Sequence, residues 1–138
     1  MLNVAQDQCK QLAILLCSQP DDPIPGAVRL EWLQKTFPQA HIVHHPEPLP
    51  RDQSNPHFWD LWRESIEKHC PGETYDAVFS SESYGQRLAK ELGSIHISVD
   101  PSRDAFPVSG TDIRNDPLKY WEFIPDIVRP YYKKLLKL

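Results

Sequence analysis

Within the stretch "PVSGTDIRNDPLKYWEFIP" at 107–125, Ser109, Gly110, Thr111 and Arg114 fall inside six residues. Ser109 or Thr111 can cap a helix that starts near Asp112, while Gly110 lets the backbone come close to a ligand. Exposed N–H groups at a helix start, two hydroxyls and an arginine in the first turn make a compact anion site, and phosphate is its natural occupant. An ordinary N-cap followed by a surface arginine accounts for the same residues, and spacing alone slightly favours it, because short Ser/Gly/Thr helix starts are common.

Other chemistry is less well supported. Cys9, Cys17 and Cys70 are an odd number at irregular spacing without a CxxC, so they read as small buried or half-buried thiols. His41, His44 and His45 lie close in sequence, but in a strand over 40–45 His44 and His45 point to opposite faces. No Cys or His cluster completes a tetrahedral site, so no metal ligand is expected.

The composition bounds the rest. The 138 residues fit one domain over 1–138, and 40% hydrophobic residues, 10% aromatics and a formal charge of -4 describe a soluble globular chain. That mild acidity argues against a nucleic-acid partner, whose phosphates need a basic face. No apolar run approaches the ~20 residues of a membrane span, and the first residues are not a signal peptide. A cytoplasmic location is the resulting expectation.

The elements that must position these residues are legible from punctuation. "LAILLCS" (12–18) is a short continuous apolar run ended by "QPDDP", as expected of a strand buried on both faces. In "GAVRLEWLQKTF", Val28, Trp32 and Leu33 recur at helical spacing before Pro38. "AHIVHH" is a second strand, and 46–56 a long proline-rich surface loop. "HFWDLWRESIEKHC" puts Phe58, Leu61, Trp62 and Ile66 on one helical stripe. "YDAVFSS" (75–81) predicts a central strand, "YGQRLAKELG" a helix closed by Gly93, "SIHISVD" a further strand and "IPDIVRPYYKKLLKL" a last helix. The sequence shows no internal repeat. Strands alternating with helices predict an α/β fold with a parallel sheet and helices on both faces. Ligands then bind beyond the carboxyl ends of the strands, where 18–29, 80–85 and 107–114 should line one crevice.

"PVSGTDIRNDPLKYWEFIPDIVRPYYKK", "CSQPDDPIPGAVRLEWLQKTFPQA", "FWDLWRESI" and "FSSESYGQRLAKELG" together resemble, in order, the nucleotidyltransferase superfamily. The likeness is to the nicotinamide-mononucleotide adenylyltransferase domains of bifunctional bacterial NAD-biosynthesis proteins, and it covers almost the whole chain. It implies a Rossmann-like nucleotidyltransferase fold that joins ATP and nicotinamide mononucleotide into NAD and pyrophosphate, with Mg2+ accompanying ATP. It further implies that Ser109, Gly110, Thr111 and Arg114 grip ATP phosphates, with Arg29 as a second phosphate-binding arginine. Ser80, Ser81, Glu82 and Tyr84 match a turn near the nucleotide, although Glu82 equally suits an ordinary helix N-terminus. Trp62, with Trp59 as the neighbouring candidate, matches an aromatic that stacks near the nicotinamide; its place on the apolar stripe equally suits core packing.

One part of the family pattern has no counterpart. The initial "G-x-F-x-P-x-H-x-G-H" strand and loop are absent, and "LNVAQDQCKQ" resembles the helix that follows them. The chain therefore reads as an N-terminally truncated domain whose first, central strand is missing. Its neighbours must then close up, accept a segment from another chain, as in a homo-oligomer, or leave backbone groups unpaired. Two alternatives to adenylyl transfer follow from the same residues. One is a catalytically silent nucleotide-binding or regulatory module that keeps Arg29 and Arg114; the other is a transferase acting on a different phosphate acceptor.

Overall fold

Two β-α-β segments and the helix that joins them make up most of the chain. In the computed structural model, which describes residues 1–102, 104 and 106–138, the order is α1 (Leu2–Gln8), β1 (Ala13–Cys17), α2 (Gly26–Thr36), β2 (His41–His45), α3 (Phe58–His69), β3 (Ala77–Ser80), α4 (Tyr84–Glu91) and β4 (Ile95–Ser98). Then follow α5 (Gly110–Asn115), a 3-10 turn at Trp121–Phe123 and α6 (Arg129–Leu136). The fold is α/β, with short parallel strands and intervening helices, consistent with a Rossmann-like fold. Two compact units divide it, Met1–Pro101 and Ser102–Leu138.

In the first unit, β1 pairs in parallel with β2, Ile14 opposite Ile42 and Leu16 opposite His44. β3 pairs in parallel with β4, Val78 opposite His96 and Ser80 opposite Ser98. Instead of one continuous sheet, the described residues form two two-stranded sheets, so β3 is not the central strand that its apolar run predicts. Short apolar runs cannot tell a strand paired on both sides from one paired on a single side.

Ile14, Leu16, Val43, Phe37, Phe58, Ile66 and Ala89 are buried and form the core of this unit. Burying an Ile or Phe side chain contributes about 1.5–3 kcal/mol, and these residues come from β1, β2, α3, α4 and the end of α2. Helix α4 packs on both β3 and β4, and α3 packs on β2 and α4. Arg63 of α3 reaches Glu91 of α4 at 3.2 Å, and Arg87 bonds the same carboxylate at 2.7 Å.

Two helices depart from their expected faces. The stripe of α2 is only half-buried, and no α2 residue is fully enclosed. In α3 Leu61 is exposed while Ser65 is buried, because the Ser65 hydroxyl lies against His45 of β2 at 3.0 Å.

In the second unit Val108, Ile124 and Tyr132 are buried. The final helix is shorter than its sequence suggests. Pro125 and Pro130 lack the N–H that an interior turn needs, so regular helix begins only at Arg129, with proline in its first turn. Among the described residues no helix is long and apolar enough to cross a membrane.

Candidate functional site

Ser109 is the N-cap of α5. Its Oγ accepts from the Asp112 N–H at 3.1 Å, and the Asp112 carboxylate accepts from the Ser109 N–H at 2.9 Å and from the Ser109 hydroxyl at 2.8 Å. This reciprocal capping box fixes where the helix starts. Arg114 then turns back along the helix and donates from Nη2 to Thr111 Oγ1 at 3.0 Å. A Cβ on Gly110 would stand 3.1 Å from Arg114 Nη1, so the bare glycine makes room for the guanidinium. Gly110, Thr111 and Arg114 are all exposed. The four residues singled out by sequence thus form one cluster of hydroxyls and a cation open to solvent. In the same unit, Arg129 bonds Asp126 at 2.7 Å and lies over the Trp121 ring, 5.9 Å from its centroid.

The first unit holds the other predicted residues. Arg29 projects from α2 and donates from Nη2 to Asp22 Oδ2 at 2.7 Å and to the Cys17 carbonyl at 3.1 Å. Asp22 also accepts from Arg51 at 3.0 Å and from the Gln19 N–H at 2.9 Å, so it ties the turn after β1 to the long loop. Burial pushes the Cys17 thiol up to about 11, with Arg29 opposing that rise. Tyr84 opens α4 with its ring partly exposed; burial raises its phenol, and Glu82 and Cys17 add to that. Ser81 donates to the Val99 carbonyl at 2.5 Å.

Trp59 and Trp62 both pack on Phe58, with ring centroids 4.9 and 6.1 Å apart. Arg87 stands over Trp59, 5.6 Å from its centroid, and Trp62 donates its indole N–H to the Pro50 carbonyl at 3.2 Å. Trp62 therefore anchors the 46–56 loop onto α3.

A feature that sequence reasoning missed occurs twice. Ser18 Oγ meets His44 Nε2 at 2.6 Å, and Ser80 Oγ meets His96 Nε2 at 2.9 Å. In both, the serine lies two residues beyond the residue opposite the histidine, Leu16 opposite His44 and Val78 opposite His96. Both are covered by a glycine in the first turn of the next helix. A Cβ on Gly26 would collide with Ser18, and one on Gly85 with Ser80, and either would stand 2.7 Å from the corresponding histidine Nε2. The serine and histidine types alone suggest a nucleophile and its base. Repetition at the same offset, with Ser80 also donating to the Glu82 carbonyl at 3.1 Å, fits a clamp that joins two parallel strands beneath a helix start. The Ser18 clamp borders a cavity of about 320 Å3 that also takes in Gln19, Asp22, Gly26 and Pro46. A strand-end Ser, a helix-opening Gly and a His on the next strand is the signal that would have found both.

No known family model matches the chain. Over 114 residues it is 33% identical to the "Trifunctional NAD biosynthesis/regulator protein NadR" of Escherichia coli (strain K12). Over the same length it is 31% identical to the protein of that name from Salmonella typhimurium (strain LT2). The chain is homologous to part of NadR. The matched segment takes in 80% of this chain and 28% of each relative, so the chain spans well under half of NadR.

Proposed function

We propose that the chain is a nucleotide-binding domain of NAD biosynthesis that carries adenylyl transfer from ATP to nicotinamide mononucleotide. An oxygen of the mononucleotide phosphate attacks the α-phosphorus of ATP, the bond to the β-phosphate oxygen breaks, and NAD and pyrophosphate leave. The attacking oxygen is already anionic, so no enzyme nucleophile or strong base is required. Holding two anions in line and neutralising charge on the transferring phosphoryl group is the work that remains.

The observation that carries this reading is the Gly110 cradle under Arg114, in a chain homologous to proteins of NAD biosynthesis. Arg114, Thr111 and Ser109 are cationic or hydroxyl groups suited to phosphate oxygens. The nearby Asp112 carboxylate is engaged by the Ser109 cap. Mg2+ would accordingly arrive on the ATP phosphates and neutralise part of their charge. Arg29, Ser81 and Tyr84 are the first-unit candidates for nucleotide contacts, and Trp59 and Trp62 those for nicotinamide.

A second reading rests on one observation. Arg29 is held by Asp22, which Arg51 also engages, so its charge is largely spent inside the protein. That arrangement favours a nucleotide-binding or regulatory module without turnover. A coupled assay for NAD formation from ATP, Mg2+ and nicotinamide mononucleotide separates the two when run beside calorimetric titration of each ligand. Turnover lost on Arg114→Ala supports transfer; binding without turnover supports the module; absence of both overturns nucleotide recognition.

A further inference from the structure

Outside the nucleotide cluster, β2, the loop after it and the end of α3 bring three metal-ligating side chains together. One donor atom each from His45, Glu47 and His69 lies within 4.8 Å of the others. His45 is fully buried, and its ring lies against that of His69 with centroids 4.3 Å apart and planes tilted by 39°. His69 Nε2 contacts Glu47 Oε1 at 2.7 Å.

Two polar atoms of this cluster, His45 Nε2 and Glu47 Oε2, are buried without a hydrogen-bond partner. Buried polar groups are nearly always paired, because an unmet one loses its hydration for nothing. Here two such atoms occur in adjacent side chains. On the far side of the His45 ring, Nδ1 meets Ser65 Oγ at 3.0 Å. A hydroxyl or carbonyl on one imidazole nitrogen is the usual way to orient a histidine whose other nitrogen binds a metal.

We infer that His45, Glu47 and His69 form a binding site for a zinc-type divalent transition-metal ion. Two imidazoles and one carboxylate suit Zn2+ over Mg2+ or Ca2+, which prefer all-oxygen surroundings. Ligand atoms about 2.0–2.1 Å from a tetrahedral ion stand roughly 3.4 Å apart, so the 2.7 Å contact between His69 and Glu47 must open, and any wider pair close, as the ion enters. An adjoining cavity of about 230 Å3, lined by Glu47, Glu64, Ser65 and Lys68, leaves room for water as the fourth ligand. Strand pattern set His44 and His45 on opposite faces, and the fold keeps them there; the partner of His45 is His69, from the far end of the next helix.

The test is a titration of the chelator-stripped chain with Zn2+ by calorimetry, in competition with a chromophoric chelator. Glu47→Gln and His69→Gln are the informative variants, because both sites are only half-buried and circular dichroism can verify the fold. One equivalent should bind, each variant should weaken it by well over tenfold, and Ser65→Ala should weaken it by about 10–100-fold. Co2+ in place of Zn2+ should show the visible absorption of a four-coordinate ion, absent from both ligand variants. No stoichiometric binding, or an affinity unchanged in both ligand variants, would overturn the site and assign any bound ion to other histidines or thiols.

Discussion

Replacing Gly110 by alanine should move stability and nucleotide binding in opposite directions. Gly110 has no positive φ and is the first residue of α5, so alanine fits the backbone there. Glycine in a helix is less favourable than alanine by about 0.5–1 kcal/mol. Gly110→Ala should therefore raise Tm by roughly 2–4 °C. The new Cβ would stand 3.1 Å from Arg114 Nη1, closer than ordinary contact, so the guanidinium must swing off the helix start and loosen its bond to Thr111. If Arg114 grips a phosphate, that displacement should cost about 1.4 kcal/mol of binding, a tenfold loss in affinity. Arg114→Ala removes the whole charge-assisted contact, about 1.5–3 kcal/mol, and should weaken binding by about 10–150-fold. Because Arg114 is exposed, that variant should keep its stability within about 0.5 kcal/mol. Calorimetry with ATP and Mg2+, beside thermal melts of the same samples, reads both effects. A Gly110→Ala protein that is more stable and binds ATP unchanged would refute the cradle, and equal binding by Arg114→Ala would reduce the cluster to a capped helix.

Gly85→Ala should be among the more damaging small substitutions, because Gly85 is buried and its Cβ would meet Ser80; overpacking of about 1–3 kcal/mol, read by urea denaturation, is expected. Asp22→Asn should cost about 1–2 kcal/mol in the same assay by weakening a partly buried ion pair. It should also raise ATP affinity a few-fold if Arg29 serves phosphate, and an unchanged affinity would make Arg29 structural. Cys17 sets an alkaline limit. Its thiol is raised from 9.0 to about 11, so the stability it contributes is complete below pH 9.0 and declines as pH rises toward about 11. Alkylation of Cys17, followed by mass spectrometry, should accelerate only as pH nears that upper value.

Local signals carried well from sequence to structure. The apolar run at 12–18 became β1 over Ala13–Cys17, though only one face is buried, Ala13 and Leu15 being exposed, and the capping pattern at Ser109 became a capping box, since both depend on residues a few positions apart. Gly93 takes the left-handed φ of 69° that a helix-ending glycine favours. The clamps were illegible because Ser18 and His44 are 26 residues apart and meet only through the β1 and β2 register. The His45, Glu47 and His69 cluster depends in the same way on how α3 rotates against β2. The tryptophans were legible as an aromatic pair, but neither the Arg87 contact of Trp59 nor the Pro50 bond of Trp62 follows from helical spacing.

β1 and β3 each pair with a single neighbour, and that asymmetry has a dynamic signature. Along a parallel strand, successive amides point alternately to its two sides. Only every second N–H of β1 is held by β2, and only every second N–H of β3 by β4. Hydrogen exchange should show a saw-tooth along both strands, slow and fast amides in strict alternation. A strand added along the open edge of either would flatten that pattern into uniform protection, so these amides would report directly on any further pairing.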